Sequence, residues 1–229
     1  MEVRNIKLYI DGRWQLTDLS VLTRVYIQLY GLFYSLDVAD DYLDGEIQYI
    51  YGKYPWRGGF SAVNFYQNLF IKMPQDYKPQ IKSIQYASPG FIELSQLVEV
   101  AKDVAQIVGY VSAAILAGNK TYSIIQKGIS ERELSKINLR SEELSLLEKE
   151  RTFIHNSVND IARVMGIKPE TLSKLYFRAE NNELAVLKIL SSVYRRARDL
   201  AKLQNSGKLD LKKGHSEKNE TNNQRQSDS

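Results

Sequence analysis

Apolar and polar residues alternate at the start of the chain, which is the pattern of a strand with one buried face. Ile6, Leu8 and Ile10 fall on the same side of this predicted strand. Asp11-Gly12 is a strong turn signal, and the alternation resumes at Trp14. We therefore expect an N-terminal β-hairpin, with a one-residue bulge that places Ile10 opposite Trp14.

The spacing of apolar residues then changes to three and four, as in an amphipathic helix. Thr17-Asp18 supplies a helix start, and a second, shorter helix is expected at residues 61–72. Residues 45–60 between them are rich in aromatic residues and are expected to be irregular. A second hairpin is predicted at residues 81–94, because Ser88-Pro89-Gly90-Phe91 is a favourable turn sequence.

Helical spacing dominates the chain from residue 95 to residue 205, with breaks at Gly166 and Asn181-Asn182. The last residues are too polar to offset the entropy of ordering them. The order of elements indicates an α+β fold, with a small antiparallel hairpin sheet covered by helices, then an all-helical C-terminal region and a disordered tail. The predicted segments are an α+β domain at 1–118, a connecting segment at 119–140, a helical region at 141–205 and a disordered tail at 206–229.

Composition restricts the class of protein. The chain has 229 residues and no cysteine, which excludes disulfides and thiolate chemistry and fits a reducing compartment. The N-terminus lacks the apolar core of a signal peptide. The longest apolar run, residues 104–118, is too short to cross a bilayer. We expect a soluble, cytoplasmic protein without a membrane span.

The formal net charge of +4 is concentrated near the C-terminus. Residues 158–204 contain nine Lys and Arg against five Asp and Glu, a difference of +4 that equals the excess of the whole chain. Basic charge localised on one region indicates an anionic partner.

Residues 158–178 carry the pattern of two short helices that meet at a tight turn. A small residue stands where the helices would touch, at Ala162, and Gly166 follows four positions later, where a left-handed turn needs glycine. Pro169 stands where the second helix would begin. The segment resembles a helix-turn-helix, which implies that the second helix enters the major groove of DNA. The DNA-binding candidates are Lys168, Thr171, Ser173, Lys174 and Arg178.

The same pattern also suits a packed helical hairpin that binds no DNA, so both interpretations stay open. A second basic group follows at Arg195, Arg196 and Arg198, where either an anionic partner or a solvated helix face would explain the charges.

Two other segments are candidates for ligand chemistry. Tyr54, Trp56 and Arg57 lie in an aromatic loop that could hold a nucleotide-like ligand or could pack in the core. Residues 40–44 spell the aspartate-rich motif of isoprenoid synthases, but the family's second metal-binding motif is missing downstream. We therefore assign no catalytic residue, metal ligand or cofactor.

The leading hypothesis is a non-enzymatic bacterial regulatory protein that binds DNA through the helix-turn-helix-like segment. One alternative is a protein-interaction module of a defence or prophage system, with a protein partner or a second copy bound to an apolar patch on residues 97–115 or on the last helix. Another is an enzyme or nucleotide-binding protein with a site near residues 40–60. The N-terminal half is also loosely similar to uncharacterised bacterial proteins with an Ile-Gln-Tyr-Ala-Ser-Pro-Gly-like hairpin, a resemblance that implies no activity.

Overall fold

Four antiparallel strands form one sheet in the computed structural model, which describes residues 2–53, 59–134 and 148–214. The strand order is β2-β3-β1-β4, so the first strand of the chain lies inside the sheet. Its buried face carries Ile6 and Leu8, which lie opposite Leu94 and Ile92. The α+β class predicted from the order of elements is confirmed. The strands are β1 (Val3–Ile10), β2 (Gln80–Gln85), β3 (Gly90–Leu97) and β4 (Leu209–Asp210).

The predicted N-terminal hairpin is wrong, because β1 pairs with β3 and the chain enters a helix after the turn. Gln15 and Asp18 explain the difference. The Gln15 backbone N–H donates to Asp18 Oδ2 at 3.0 Å, and this capping box starts a helix where the alternation predicted a return strand. The second predicted hairpin is formed by β2 and β3.

Eight α-helices and one short 3₁₀ helix make up most of the described chain. The expectation of irregular structure at residues 45–60 is wrong for its first part, since a helix continues to Lys53 and buries Leu43, Ile47 and Ile50 on one side. The helices are α1 (Leu16–Ser35), α2 (Asp41–Lys53), α3 (Gly59–Lys72), the 3₁₀ helix (Gln75–Tyr77), α4 (Val98–Leu116), α5 (Thr121–Glu131), α6 (Glu148–Val164), α7 (Pro169–Arg178) and α8 (Glu183–Asn205).

The last long helix, α8, lies at the centre of the core. It contacts α1, α4 and α6, and 15 of its 23 residues are buried. The predicted N-terminal and C-terminal segments therefore share one continuous core. Among the described helices, none is long and apolar enough by itself to cross a membrane; only α4 and α5 together reach that composition, and they meet at a bend of 92°.

The chain remains ordered beyond α8, which corrects the predicted start of the tail at residue 206. Leu209 pairs with Ile10 in the sheet, and both Leu209 and Leu211 are buried. Lys208 Nζ lies 2.7 Å from Asp18 Oδ2. These two leucines are too few to produce a periodic pattern in the sequence, although their burial is enough to fix the segment. The rest of the predicted tail, residues 215–229, lies outside the described residues.

Candidate functional site

The helix-turn-helix-like segment folds as two helices joined at Gly166. Gly166 has φ of +60°, and a Cβ atom there would lie 2.3 Å from the ring of Tyr110. Both the backbone conformation and the close approach of α4 require glycine. Pro169 is the first residue of α7. The two helices, the glycine turn and the helix start at Pro169 are therefore present, while the resemblance to a helix-turn-helix stays a prediction.

A polar cluster joins this hairpin to α8. Glu183 Oε1 lies 2.7 Å from His155 Nδ1, and it accepts a hydrogen bond from the Tyr176 hydroxyl at 3.1 Å. His155 is thus part of a link between α6, α7 and α8. Burial raises the pKa of Tyr176, so its hydroxyl stays protonated and donates to Glu183.

Arg178, which we predicted to contact phosphate, is buried inside the molecule with only 4% of its surface exposed. Its Nη2 lies 2.5 Å from Asp44 Oδ1, and its Nε donates to the Ser35 carbonyl at 3.0 Å. The prediction for Arg178 is wrong, because the acidic partner that draws this side chain inward lies in α2. Arg178 fastens α7 to the N-terminal half.

The other two predicted phosphate ligands on this hairpin remain exposed but face acidic groups. Lys174 Nζ lies 3.0 Å from Asp37 Oδ2. Lys168 interacts electrostatically with Asp103, a carboxyl group of α4 whose pKa burial raises and the nearby Lys168 lowers. Each of the three cations assigned to DNA therefore has a carboxylate of the N-terminal half nearby. Ser173 is exposed.

Thr171 lies half-buried where the α6–α7 turn meets α4. It lines a narrow cleft together with Asp103, Gln106 and Lys168. Gln106 Nε2 donates to the Gly166 carbonyl at 3.0 Å and closes this contact. Thr171 is therefore less accessible to a partner than the exposed Ser173.

A second basic surface surrounds the middle of α8. We define the arginine cluster as Arg24, Arg195, Arg196 and Arg198; Arg24 extends from α1. Arg196 is the innermost member. Its guanidinium carbon lies 3.7 Å from the centre of the Tyr66 ring.

Neutral groups hold Arg196 in place. Its Nε donates to Gln28 Oε1 at 2.8 Å, and one Nη donates to Ser192 Oγ at 2.6 Å. Burial lowers the pKa of Arg196, and the adjacent charges of Arg195 and Arg24 lower it further. An anion bound here would relieve that mutual repulsion.

The outer members of the arginine cluster also lack acidic partners. Within the described residues, none of the four arginines has a carboxylate oxygen within 4.0 Å. Arg198 lies over the Tyr122 ring at 5.8 Å, and its Nε is buried without a hydrogen-bond partner. Asp199 is close to Arg196, but its nearest cation is Lys202, at 3.9 Å.

Three tyrosine rings pack beneath the side chains of the arginine cluster. Tyr122 and Tyr194 stack with their centroids 4.3 Å apart, and both are buried, as is Tyr66. Burial raises the pKa of all three hydroxyls, so the tyrosines are neutral supports for the guanidinium groups. Two of these three rings come from elements far from α8 in the sequence, which is why sequence reasoning missed them.

The acidic segment considered for catalysis or ligand binding lies in α2, which borders an open cleft of about 630 Å³ together with Asn68 and Lys72 of α3. Asp40 caps α2 by accepting a hydrogen bond from the Leu43 backbone N–H at 2.7 Å, while Asp44 binds Arg178. Among the described residues, no three acidic or histidine side chains are grouped to hold a metal ion. Tyr54, Trp56 and Arg57 lie outside the described residues.

Comparison with models of known protein families found no match, and searches of curated proteins and of solved structures found none either.

Proposed function

We propose that this chain is a non-enzymatic regulatory protein of the cytoplasm that binds DNA through phosphate contacts made by the arginine cluster. One observation carries the proposal: Arg195 and Arg24 lie close to Arg196, Arg195 and Arg198 lie close to Tyr122, and none of the four arginines forms an ion pair within 4.0 Å among the described residues, although Asp199 lies near Arg196. Guanidinium groups bind phosphate through paired hydrogen bonds, and phosphate neutralisation supplies most of the affinity of sequence-independent DNA binding.

The buried tyrosines favour contacts to the DNA backbone over contacts to bases. A protein that stacks bases needs exposed aromatic faces. Tyr66, Tyr122 and Tyr194 are instead covered by the arginines and by the core. The arginine cluster therefore offers charge and hydrogen-bond donors but no stacking surface, and we expect little discrimination between DNA sequences.

The helical hairpin favours DNA over an acidic protein as the partner. Both α6 and α7 pack on α8, the helix that carries three members of the arginine cluster. Their turn contains Gly166 in the left-handed conformation, which is compatible with a helix-turn-helix, although the cations of α7 lie close to carboxylates of the N-terminal half. In this proposal α7 supports the DNA-binding helix and does not read bases itself.

The test is the binding of a fluorescently labelled 20-base-pair duplex, followed by anisotropy over a series of salt concentrations. We expect the double variant R195Q/R198Q to lose about tenfold or more in affinity and to lower the slope of log K against log salt by roughly 2, one for each lost phosphate contact. Both substitutions keep a polar side chain of similar length, so the fold is retained.

The matched control is R151Q, which removes an exposed arginine from α6. His155 of the same helix lies beside Glu183 at the start of α8, so Arg151 is remote from Arg195. We expect R151Q to change affinity by less than about twofold. Equal losses in both variants would show that only overall charge matters, and stronger binding to poly-glutamate competitor than to the duplex would identify an acidic protein as the partner.

A further inference from the structure

Strand β2 forms an open edge of the sheet. It pairs with β3 on one side, and all six of its residues are exposed. The opposite edge is formed by β4, which has only two residues. Unpaired backbone groups on a strand of this length are a template for another strand.

Strand β2 carries two isoleucine side chains although it is exposed. An irregularity between Ile81 and Ser83 places Ile81 opposite Leu94 and Ile84 opposite Ile92, so both isoleucines share the face that packs against the helices. Leu94 and Ile92 are buried, whereas Ile81 is 59% exposed and Ile84 is 56% exposed. The sheet therefore extends past its helical cover and leaves an apolar strip along β2.

We propose that β2 pairs antiparallel with β2 of a second copy of this chain and joins the two sheets into one. The register places Ile81 opposite the partner's Ile84, and Lys82 opposite the partner's Ser83. Both exposed isoleucines of each copy then gain an apolar neighbour, as cross-strand pairing requires. This interface lies on the sheet and is separate from the arginine cluster.

Charges on the hairpin select this partner and this register. Lys82 has no ion pair within 4.0 Å among the described residues. The Glu93 carboxylate on β3 accepts a hydrogen bond from Ser83 Oγ at 3.0 Å and also forms no ion pair there, although Lys7 of β1 lies opposite it in the sheet. In the proposed register Lys82 lies next to the partner's Ser83. The carboxylate of the partner's Glu93, on the neighbouring strand, is then within reach of Lys82. Shifting the strands by one residue would instead face two lysines or would set isoleucine against a polar residue.

The lysine and the irregularity in β2 limit the strength of the dimer. Both features are devices that keep edge strands from pairing indiscriminately. Six residues from each copy make a small interface, and interfaces of that size are transient. We expect a dissociation constant of roughly micromolar or weaker.

Sedimentation equilibrium of the full chain, without DNA and up to millimolar concentration, measures the self-association. We expect I84K to weaken dimerisation at least tenfold, because it places a charge on the apolar strip. The matched control is I71K, since Ile71 is also 56% exposed but belongs to helix α3 and not to the open edge strand. I71K should dimerise like the wild-type chain, and thermal unfolding should show both variants folded.

The register can be tested by disulfide formation, because the chain contains no cysteine. An equimolar mixture of I81C and I84C chains, oxidised at a concentration where dimers form, should give mainly the mixed disulfide. A wild-type chain that stays monomeric at millimolar concentration overturns the proposal. So does equal weakening by I84K and I71K, or a product in which each variant bonds mainly to itself; capture of a different extended peptide by monomeric chain would assign the edge to another partner.

Discussion

The hairpin helix α7 and the long helix α8 both carry a basic group, but their surroundings differ. Lys168, Lys174 and Arg178 each have a carboxylate of the N-terminal half close by. The arginines of α8 form no ion pair within 4.0 Å among the described residues, and Arg196 is held by neutral groups such as the side chain of Gln28 and the Tyr66 ring, with Asp199 near it. A count of basic residues along the chain treats the two groups alike. In the folded structure they differ in how closely carboxylates approach them.

The largest effect that we expect is the loss of stability in R178M. R178M removes the buried member of an ion pair whose other member, Asp44, is 37% exposed, and it leaves the buried Ser35 carbonyl without this donor, so we expect a cost of about 2 kcal/mol in free energy of unfolding. Urea denaturation measures this change. K168M, at the exposed cation of the same hairpin, should cost less than about 0.5 kcal/mol. If R178M unfolds like the wild-type chain but binds DNA less tightly, Arg178 belongs to the binding surface and the two helices do not differ as described.

The second prediction places an acid beside the arginine cluster. Q28E replaces the side-chain amide that accepts the Arg196 hydrogen bond by a carboxylate. Arg196 then has an acidic partner, as the cations of α7 do. We expect DNA affinity to fall about tenfold, while a charge-assisted hydrogen bond raises the free energy of unfolding by about 1 kcal/mol.

The control for Q28E is Q75E, which adds the same charge at an exposed residue of the 3₁₀ helix. It should leave DNA affinity within about twofold of wild type. A Q28E chain that binds DNA as tightly as Q75E would show that Arg196 and its neighbours are not the phosphate contacts.

The third prediction removes an acid from α7's surroundings. D37N frees Lys174, and DNA affinity should rise only about twofold, because a single exposed charge contributes little at a distance from the main contacts. Anisotropy with the same duplex measures the change. An increase of tenfold or more would mean that α7 contacts the DNA and that the carboxylates close to its cations weaken binding.

The smallest expected effect concerns Asp103. Burial raises the pKa of this carboxyl above its ordinary value of 3.8 in the folded state. Protonated Asp103 therefore contributes its full stability at pH values below the pKa of the unfolded chain. This contribution is lost as the pH rises through the pKa of the folded chain. D103N, which is always neutral, should match the wild-type chain at the acid end and exceed its stability near pH 7 by less than about 1 kcal/mol. Thermal unfolding from pH 4 to pH 7 tests this, and a constant difference across that range would contradict it.

Local features of the sequence predicted much of the fold. The spacing of apolar residues gave α4 and α8 their approximate bounds, and Gly166 and Pro169 marked the turn between α6 and α7. The β2–β3 hairpin was also predicted, because its turn residues lie between its two strands. These features depend on residues close together in the chain, so a pattern can report them.

Long-range partners were not predictable in the same way. Nothing near Ile6 indicates that its neighbour across the sheet is Leu94. Nothing near Arg178 indicates that Asp44 will hold it inside the molecule. The same limit applies to the site. Arg195, Arg196 and Arg198 were candidates from charge density, but whether they form ion pairs with other elements depends on which helices pack against α8.

The pairing of β1 with β4 has a consequence for synthesis. The ribosome makes β4 about two hundred residues after β1, yet Tyr9 lies opposite Asp210 in the finished sheet. Strand β1 must therefore wait until Leu209 has been made before both of its edges are covered, and such distant pairings form slowly. A nascent chain that stops before Leu209 carries an open β1 edge. A prematurely terminated chain therefore has an unpaired strand edge, which chaperones and proteases can recognise.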